Sequence, residues 1–210
     1  MKKPKVRELG EAIRAVIRGP YTTRFPAEDH TPHPNFRGQP EFHAAHCVGC
    51  LACEQVCPVE AIAHEDCLDG ANGPMRTMIH YTDTCIFCGQ CEAVCIAEPK
   101  GITLTNQWEL SFFDRRDAWE SIEKRLQCCD RCGAAVACTD HLRWLADRLG
   151  ERAYSSPTLY LTDLMELGLA DSHGATPHAS GSRADRFKVL CARCRRETTL
   201  ELQEDADKSG

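Results

Sequence analysis

The sequence predicts an α+β protein whose central domain is an internal repeat built around cysteine ligands. The chain has 15 cysteines in 210 residues, and eight of them form two copies of one spaced run. A short apolar segment with strand character follows each run, at 61–64 and 101–105. Segments with helical periodicity stand before and after this domain. Short strands mixed with separate helices indicate the α+β class.

Residues 5–18 are predicted to form an amphipathic helix. Apolar residues recur there at helical spacing, at Val6, Leu9, Ile13, Val16 and Ile17. The remaining positions carry more lysine and arginine than glutamate, so the segment has a net positive charge. A basic amphipathic helix can lie on an anionic membrane surface or dock on a partner. The alternative is that the apolar stripe packs on the protein's own core.

Residues 19–46 are predicted to form an irregular, extended arm, so that 1–46 is an N-terminal helix followed by an arm. Five prolines between positions 20 and 40 prevent a regular helix in this stretch. The arm also carries four histidines, which are expected to be exposed: His30, His33, His43 and His46. His46 precedes Cys47 and could tune a metal centre there by charge or hydrogen bonding.

The two cysteine runs are Cys47-x2-Cys50-x2-Cys53-x3-Cys57 and Cys85-x2-Cys88-x2-Cys91-x3-Cys95. This spacing is that of bacterial ferredoxins with two [4Fe–4S] clusters, in which the fourth cysteine of each run binds the other cluster. Cluster one is therefore assigned to Cys47, Cys50, Cys53 and Cys95. Cluster two is assigned to Cys85, Cys88, Cys91 and Cys57. Residues 47–105 are predicted to be a two-[4Fe–4S] ferredoxin-like domain.

A pair of zinc sites or a disulfide lattice is the alternative for these runs. Zinc sites usually take paired C-x2-C units rather than runs of four. An odd number of cysteines without a secretory signal argues against a disulfide scaffold. One departure from the ferredoxin pattern is that Pro99, unlike Pro58, does not follow its cysteine directly. The turn after Cys95 is therefore expected to be longer.

Residues 106–200 are predicted to be a helical tail. Helices are expected at 114–126, 140–149 and 161–169, where apolar residues recur at helical spacing. A surface loop is expected at 171–186, which is rich in Gly, Ser, Ala and His. The acidic segment 201–210 is expected to be disordered.

A third cysteine group consists of two C-x2-C knuckles, formed by Cys129, Cys132, Cys191 and Cys194. Four thiolates in paired turns suit tetrahedral Zn²⁺ with no open position, so a zinc-ribbon-like structural site is predicted to close the helical tail. A rubredoxin-like iron site or a third cluster is the alternative. Cys128 competes with Cys129, but only Cys129 has the x2 relation to Cys132. Cys67, Cys128 and Cys138 are then expected to be free thiols.

Composition excludes several other classes of function. A net charge of −6 gives no support to nucleic-acid binding. No run of 18 apolar residues and no signal-peptide pattern is found, so neither a membrane span nor secretion is expected. No nucleotide-binding loop or catalytic triad is evident. The chain alone is therefore expected to be non-catalytic.

Several segments carry a resemblance to a known family. They are 19–26 (GPYTTRFP), 36–40 (FRGQP), 85–91 (CIFCGQC) and 106–110 (NQWEL). Over about residues 1–110 the chain resembles the two-cluster ferredoxin-like subunit shared by respiratory complex I, membrane-bound [NiFe] hydrogenases and formate hydrogenlyase. The Leu-Gln-x-Cys-x-x-Cys segment beginning at Leu126 resembles the hydrogenlyase-type versions, which carry such a tail.

The resemblance implies an electron relay in a group 4 [NiFe] hydrogenase-type complex, with the equivalent complex I subunit as the alternative. Electrons would come from a donor module and reach the small subunit that carries the cluster next to the [NiFe] site. The N-terminal helix would contact the membrane arm, which places the chain peripherally on the cytoplasmic side of the inner membrane. A free diffusible ferredoxin and a binding module with structural clusters are further alternatives; the arm and tail argue against the first, and the net acidity against the second.

Overall fold

The computed structural model describes residues 6–19, 22, 24–169 and 188–198. The chain forms two compact units, residues 1–36 and 37–210, which are described separately. The predicted loop at 171–186 and the predicted acidic tail at 201–210 lie outside the described residues.

The first unit contains helix α1 (Val6–Arg18), which confirms the predicted N-terminal helix. None of its residues is buried. The five apolar side chains of its stripe are each more than half exposed, from Ile13 at 53% to Val6 at 88%. The helix ends at Gly19, whose positive φ of 82° is a conformation that favours glycine. The apolar stripe of α1 is therefore not packed into a core within its own unit.

The second unit begins with the predicted repeat. Helices α2 (Ala52–Val56) and α3 (Gln90–Val94) each stand in the second half of a cysteine run. Strands β2 (Ile62–Cys67) and β3 (Met75–Tyr81) pair antiparallel, and β4 (Ile102–Leu104) pairs antiparallel with β1 (Pro40–Phe42). The strands expected at 61–64 and 101–105 are thereby confirmed.

Strand β1 is an addition to the prediction, because it lies inside the arm that was expected to be irregular. Pro40 is its first residue, a position where a strand tolerates the missing N–H. Pro40 and Phe42 are buried while Glu41 is exposed, and this alternation fits a strand with one buried face.

The helix predicted at 114–126 is wrong, because this segment forms the ten-residue strand β5 (Trp119–Cys128) after a short 3₁₀ turn. Its buried and half-buried side chains alternate with exposed ones, and Lys124 and Leu126 are the two that are fully buried. A buried lysine on the inward face interrupts the apolar alternation. The remaining apolar residues then happen to fall at helical spacing, which explains the error.

Strand β5 pairs antiparallel with β3 and with β6 (Ala135–Cys138), giving one four-stranded sheet in the order β2-β3-β5-β6. Residues 106–200 are therefore not a purely helical tail, since β5 and β6 extend the sheet of the ferredoxin-like domain. The other two predicted helices are confirmed as α4 (Thr139–Leu149) and α5 (Pro157–Glu166). They pack through a small core formed by Leu142, Ala153 and Leu159.

The main core lies where the two halves of the repeat meet. It contains four buried apolar residues and one buried cysteine from each run: Phe42, Ile62, Met78, Ile102, Cys53 and Cys91. Two of the cysteines predicted as ligands, Cys53 and Cys91, thus occupy core positions that apolar side chains fill in most proteins. In the part of the chain that the structure describes, no helix has the length and apolarity needed to cross a bilayer.

Candidate metal and electron-transfer centres

Two small cavities of similar size lie in the ferredoxin-like domain. The first is lined by Cys47, Cys50 and Cys53 of the first run and by Cys95 of the second. The second is lined by Cys85, Cys88 and Cys91 of the second run and by Cys57 of the first. The structure thus brings together the same two sets of four thiols that the spacing predicts, with the fourth cysteine of each run exchanged.

The exchange follows from the way each run folds. A residue with positive φ precedes each helix, Leu51 at 67° before α2 and Gly89 at 78° before α3. This turn lets the first cysteines of the run form a loop around one cavity while the helix leads away. Cys57 and Cys95 stand at the C-terminal caps of the two helices in extended conformation, and each lines the cavity of the other run.

Backbone N–H groups point at several of these sulfurs. The amide of Ala61 donates to Cys57 Sγ over 3.2 Å, and the amide of Gly101 donates to Cys95 Sγ, also over 3.2 Å. The donor is four residues after Cys57 but six after Cys95, so the second turn is longer by two residues. This confirms the longer turn expected from the displaced Pro99. Such N–H···S bonds favour the thiolate form, which is the form that binds iron.

The thiols of these cavities are poor acids on their own. Burial raises the pKa of Cys53 to about 12 and that of Cys91 to about 11, in each case with a further contribution from neighbouring cysteines. A buried thiol of this kind gives up its proton when a metal ion replaces it. Eight cysteines in two closed groups, with N–H donors and few polar neighbours, therefore fit two iron–sulfur clusters.

Two buried cationic side chains lie near the first cavity, and neither was predicted from the sequence. Arg76 donates to both carboxylate oxygens of Asp66 at 2.7 Å and to the carbonyl of Gly49, inside the first cysteine loop, at 3.3 Å. Lys124 binds the carbonyl of Ala44 and the Asp140 carboxylate. Both side chains tie the first loop to the sheet and to α4. Only the strand register, not the cysteine spacing, could have indicated them.

The four cysteines of the third group also come together. The sulfurs of Cys129, Cys132, Cys191 and Cys194 all lie within 4.8 Å of one another, and the Sγ atoms of Cys132 and Cys191 are 3.7 Å apart. A tetrahedral Zn²⁺ with Zn–S bonds of about 2.3 Å needs sulfurs roughly 3.8 Å apart. The group therefore has the size of a four-thiolate metal site.

The two knuckles of this group are held by the backbone. The amide of Asp130 donates to the carbonyl of Val189 at 2.9 Å, and the amide of Val189 donates to the Asp130 carboxylate at 2.6 Å. Burial raises the pKa of Cys129, but N–H groups of Cys191, Cys132 and Arg131 outweigh it and lower the pKa to about 6. Burial and hydrogen bonds from the other three thiols raise the pKa of Cys194 to about 12, so Cys129 is the member of this pair that loses its proton first.

The three remaining cysteines lie outside these groups. Cys67 is exposed at the end of β2, and Cys128 is half-buried. Cys138 is fully buried and packs against the first loop, since a Cβ on Gly49 would lie 2.5 Å from its sulfur. Among the arm histidines, His46 is exposed, and His43 Nε2 is paired with Thr103 Oγ1 at 2.7 Å.

Fold and cavities together define a ferredoxin-like iron–sulfur electron-transfer protein. The 4Fe-4S dicluster domain family matches residues 46–102. Subunit I 2 of NADH-quinone oxidoreductase from Geobacter metallireducens is 30% identical over 119 residues, which cover 54% of this chain and 89% of the relative. Formate hydrogenlyase subunit 6 of Escherichia coli is 41% identical over 54 residues, which cover 25% of this chain and 30% of that protein.

The chain belongs to the family of NADH-quinone oxidoreductase subunit I, and it is an iron–sulfur electron-transfer subunit of the class found in complex I and in hydrogenase-like complexes. A solved structure of the membrane-bound sulfane sulfur reductase, an archaeal respiratory membrane complex, contains a similar chain. The likeness has a TM-score of 0.38 at 24% identity and covers 56% of this chain and 61% of that one. It adds nothing to the assignment.

Proposed function

We propose that this chain relays electrons through two [4Fe–4S] clusters inside a membrane-associated oxidoreductase complex. The observation that carries the proposal is the pair of four-cysteine cavities, each lined by three cysteines of one run and the last cysteine of the other. A bound cluster of this kind takes up and passes on single electrons. Cluster one is assigned to Cys47, Cys50, Cys53 and Cys95, and cluster two to Cys57, Cys85, Cys88 and Cys91.

The chain's own residues fix and insulate these two sites. Phe42, Met78 and Ile102 line the first cavity, Ile62 lines the second, and all four belong to the buried core between the two. An apolar surrounding limits access of water and is one of the factors that set the potential of an iron–sulfur cluster. We propose that the chain is not an enzyme alone and that catalysis belongs to neighbouring subunits.

The favoured complex is of the group 4 [NiFe] hydrogenase type. Almost half of this chain lies outside the alignment with the Geobacter complex I subunit, although that alignment covers 89% of the relative. The chain therefore carries a large additional segment, and a four-cysteine tail is the feature by which the sequence resembles hydrogenlyase-type subunits. The partners would be a donor module, a small subunit carrying the next cluster, and a membrane arm. The alternative, a complex I assembly, is favoured by the length of that same alignment.

We further propose a structural Zn²⁺ at Cys129, Cys132, Cys191 and Cys194. Four thiolates leave no open position, so this site would hold the two C-x2-C knuckles together rather than take part in the reaction. The sulfur spacing and the lowered pKa of Cys129 support the proposal.

Metal content and one cysteine variant test the assignment of the clusters. Protein purified without oxygen is expected to contain about eight Fe and about one Zn per chain. Cys57→Ser is expected to damage the cluster bound by Cys85, Cys88 and Cys91, and to spare the other, as followed by EPR. Cys67→Ser, which changes an exposed cysteine outside both cavities, is the matched control. Selective loss of the cluster at Cys47, Cys50 and Cys53 would contradict the exchanged assignment.

Peripheral membrane contact is proposed for α1, whose apolar stripe is exposed and whose other positions include three arginines and two glutamates. An amphipathic helix of this kind lies in the interface of an anionic membrane. Deletion of residues 1–18 is expected to release the protein into the soluble fraction of cells that make the whole complex. If fractionation does not change, α1 has no part in the attachment.

A further inference from the structure

His80 in strand β3 is a buried polar side chain without a protein partner. Its exposed fraction is 0%, and neither ring nitrogen has a hydrogen-bond partner among the described residues. The nearest charged group is the carboxylate of Glu120, whose Oε1 lies 3.8 Å from Nδ1, beyond hydrogen-bond distance. That same oxygen already accepts the amide of Phe42 at 3.3 Å.

This arrangement is unfavourable unless the ring has another partner. A buried donor left unpaired destabilises a protein, because it has lost its hydrogen bonds to water and gained none in return. Two neighbouring positions are apolar, since Ile62 is the register partner of His80 on β2 and Met78 precedes it on the same face of β3. The register partner on β5 is Glu120, whose carboxylate lies beyond hydrogen-bond distance of the ring. An aliphatic residue at position 80 would fill this space without a penalty. The histidine therefore points to a partner inside the cavity that its side chain lines.

That cavity is the one lined by Cys57, Cys85, Cys88 and Cys91. The two cavities differ in the residue that strand β3 contributes to each: Met78 lines the first and His80 lines the second. A methionine thioether offers no hydrogen-bond donor, whereas a neutral imidazole offers one N–H. Burial lowers the pKa of His80, because it disfavours the charged form of the ring. The two otherwise similar sites thus differ by one buried N–H donor.

We propose that a ring N–H of His80 donates a hydrogen bond to a sulfur of cluster two and raises the reduction potential of that cluster. The inference rests on the proposed function, since it requires a cluster at Cys57, Cys85, Cys88 and Cys91. Hydrogen bonds to the sulfurs are among the factors that set cluster potentials. Such a bond is stronger to the reduced cluster, which carries more negative charge, and therefore favours reduction. His80 is a positioning and tuning residue, not a ligand.

The test is a redox titration monitored by EPR on the full chain with both clusters in place. His80→Leu removes the N–H and fills the space with an apolar side chain. In this variant we expect the midpoint potential of cluster two to fall while that of cluster one stays unchanged. In His80→Asn, which restores an N–H donor, we expect partial recovery. His64→Leu is the matched control, because His64 also lies on a strand but has its own partner, Glu54 Oε2, at 2.6 Å. It should leave both potentials unchanged.

A second measurement needs no variant. Protein labelled with ¹⁵N-histidine should show a ¹⁵N hyperfine coupling in the EPR signal of reduced cluster two, and this coupling should be absent for cluster one. Absence of the coupling from cluster two, or an unchanged potential in His80→Leu, would overturn the inference. Iron analysis separates this failure from a failure of the proposed function. If the protein holds about eight Fe per chain but shows no histidine effect, only the proposed role of His80 is wrong. If the iron content is far below eight, the second cluster is absent and the proposed function itself is contradicted.

Discussion

At the scale of single residues, Gly101 shows how closely the first cavity is built. Its amide donates to Cys95 Sγ at 3.2 Å, and its carbonyl accepts the amide of His43 at 3.0 Å. A Cβ at this position would lie 2.7 Å from Cys47 Cα and 3.1 Å from Cys47 Cβ. The backbone of Gly101 therefore packs against Cys47 and donates to Cys95, and a side chain at position 101 would clash with Cys47.

Gly101→Ala is expected to prevent cluster one from forming and to leave cluster two in place. The added methyl group must push Cys47 away or move the N–H that binds Cys95, and either change displaces a ligand. Iron content should fall from about eight to about four per chain, and only one EPR signal should remain. Gly10→Ala is the control, since a Cβ there meets nothing within 4 Å. Retention of both signals in Gly101→Ala would show that the loop adjusts.

Residue-level prediction from sequence succeeds where spacing alone decides the outcome. A loop with cysteines at x2 intervals can surround only one metal site, so the grouping of all eight cysteines follows from the run and its exchanged fourth ligand. The importance of Gly101 and His80 depends on which side chain lies opposite them in space. No local pattern contains that information: it depends on the register of β3 in the case of His80, and on the packing of the loop before β4 against Cys47 in the case of Gly101.

At the scale of elements, strand β5 joins the part of the molecule that holds the clusters to the part that holds the third cysteine group. Its first residue, Trp119, lies opposite Tyr81 on β3, and its last, Cys128, directly precedes Cys129. The sequence suggested a helix here because buried Lys124 hid the alternation of the strand. Lys124 is tolerated in this position because it pairs with Asp140 at 3.0 Å.

Substitutions at Ser121, an exposed position in the middle of β5, distinguish the strand from the helix expected there. In a strand, Ser121→Thr should be more stable than Ser121→Ala by about 0.5 to 1 kcal/mol, because β-branched residues favour the extended backbone and alanine does not. In a helix the order would be reversed. The measurement is the denaturant dependence of the cluster absorption in both variants. Greater stability of the alanine variant would contradict the observed strand.

At the scale of the whole molecule, the third cysteine group closes the second unit. Residues 188–198 return to the end of β5, where Val189 is fully buried, and Arg195 Nη2 donates to Thr158 Oγ1 of α5 at 2.8 Å. The segment is also held by the hydrogen bonds between Asp130 and Val189 and by contacts of Arg131 with Glu197 and Thr198. We expect the metal to add the largest contribution to its attachment. Structural zinc sites contribute about 10 kcal/mol or more to the folding of small zinc domains.

Cys194→Ser is expected to abolish zinc binding and to free residues 188–198 for protease cleavage, while the iron content remains about eight per chain. The clusters should persist because no proposed iron ligand belongs to this group. Cys67→Ser should retain zinc and protease resistance, as Cys67 lies outside all three cysteine groups. Zinc retained in Cys194→Ser would refute the site, and equal loss of iron would show that the two kinds of metal centre are interdependent.

The exchange of Cys57 and Cys95 between the two cavities also has a consequence during protein synthesis. A ribosome delivers the chain from its N-terminus, so Cys47, Cys50 and Cys53 are available early. Their fourth companion arrives only when residue 95 has left the exit tunnel, at which point the ligands of the second site are also present. Neither half can mature by itself. The cell's cluster-delivery machinery must therefore meet a nearly finished domain, because a chain that stops between positions 91 and 95 has all four ligands of the second site but still lacks the fourth ligand of the first.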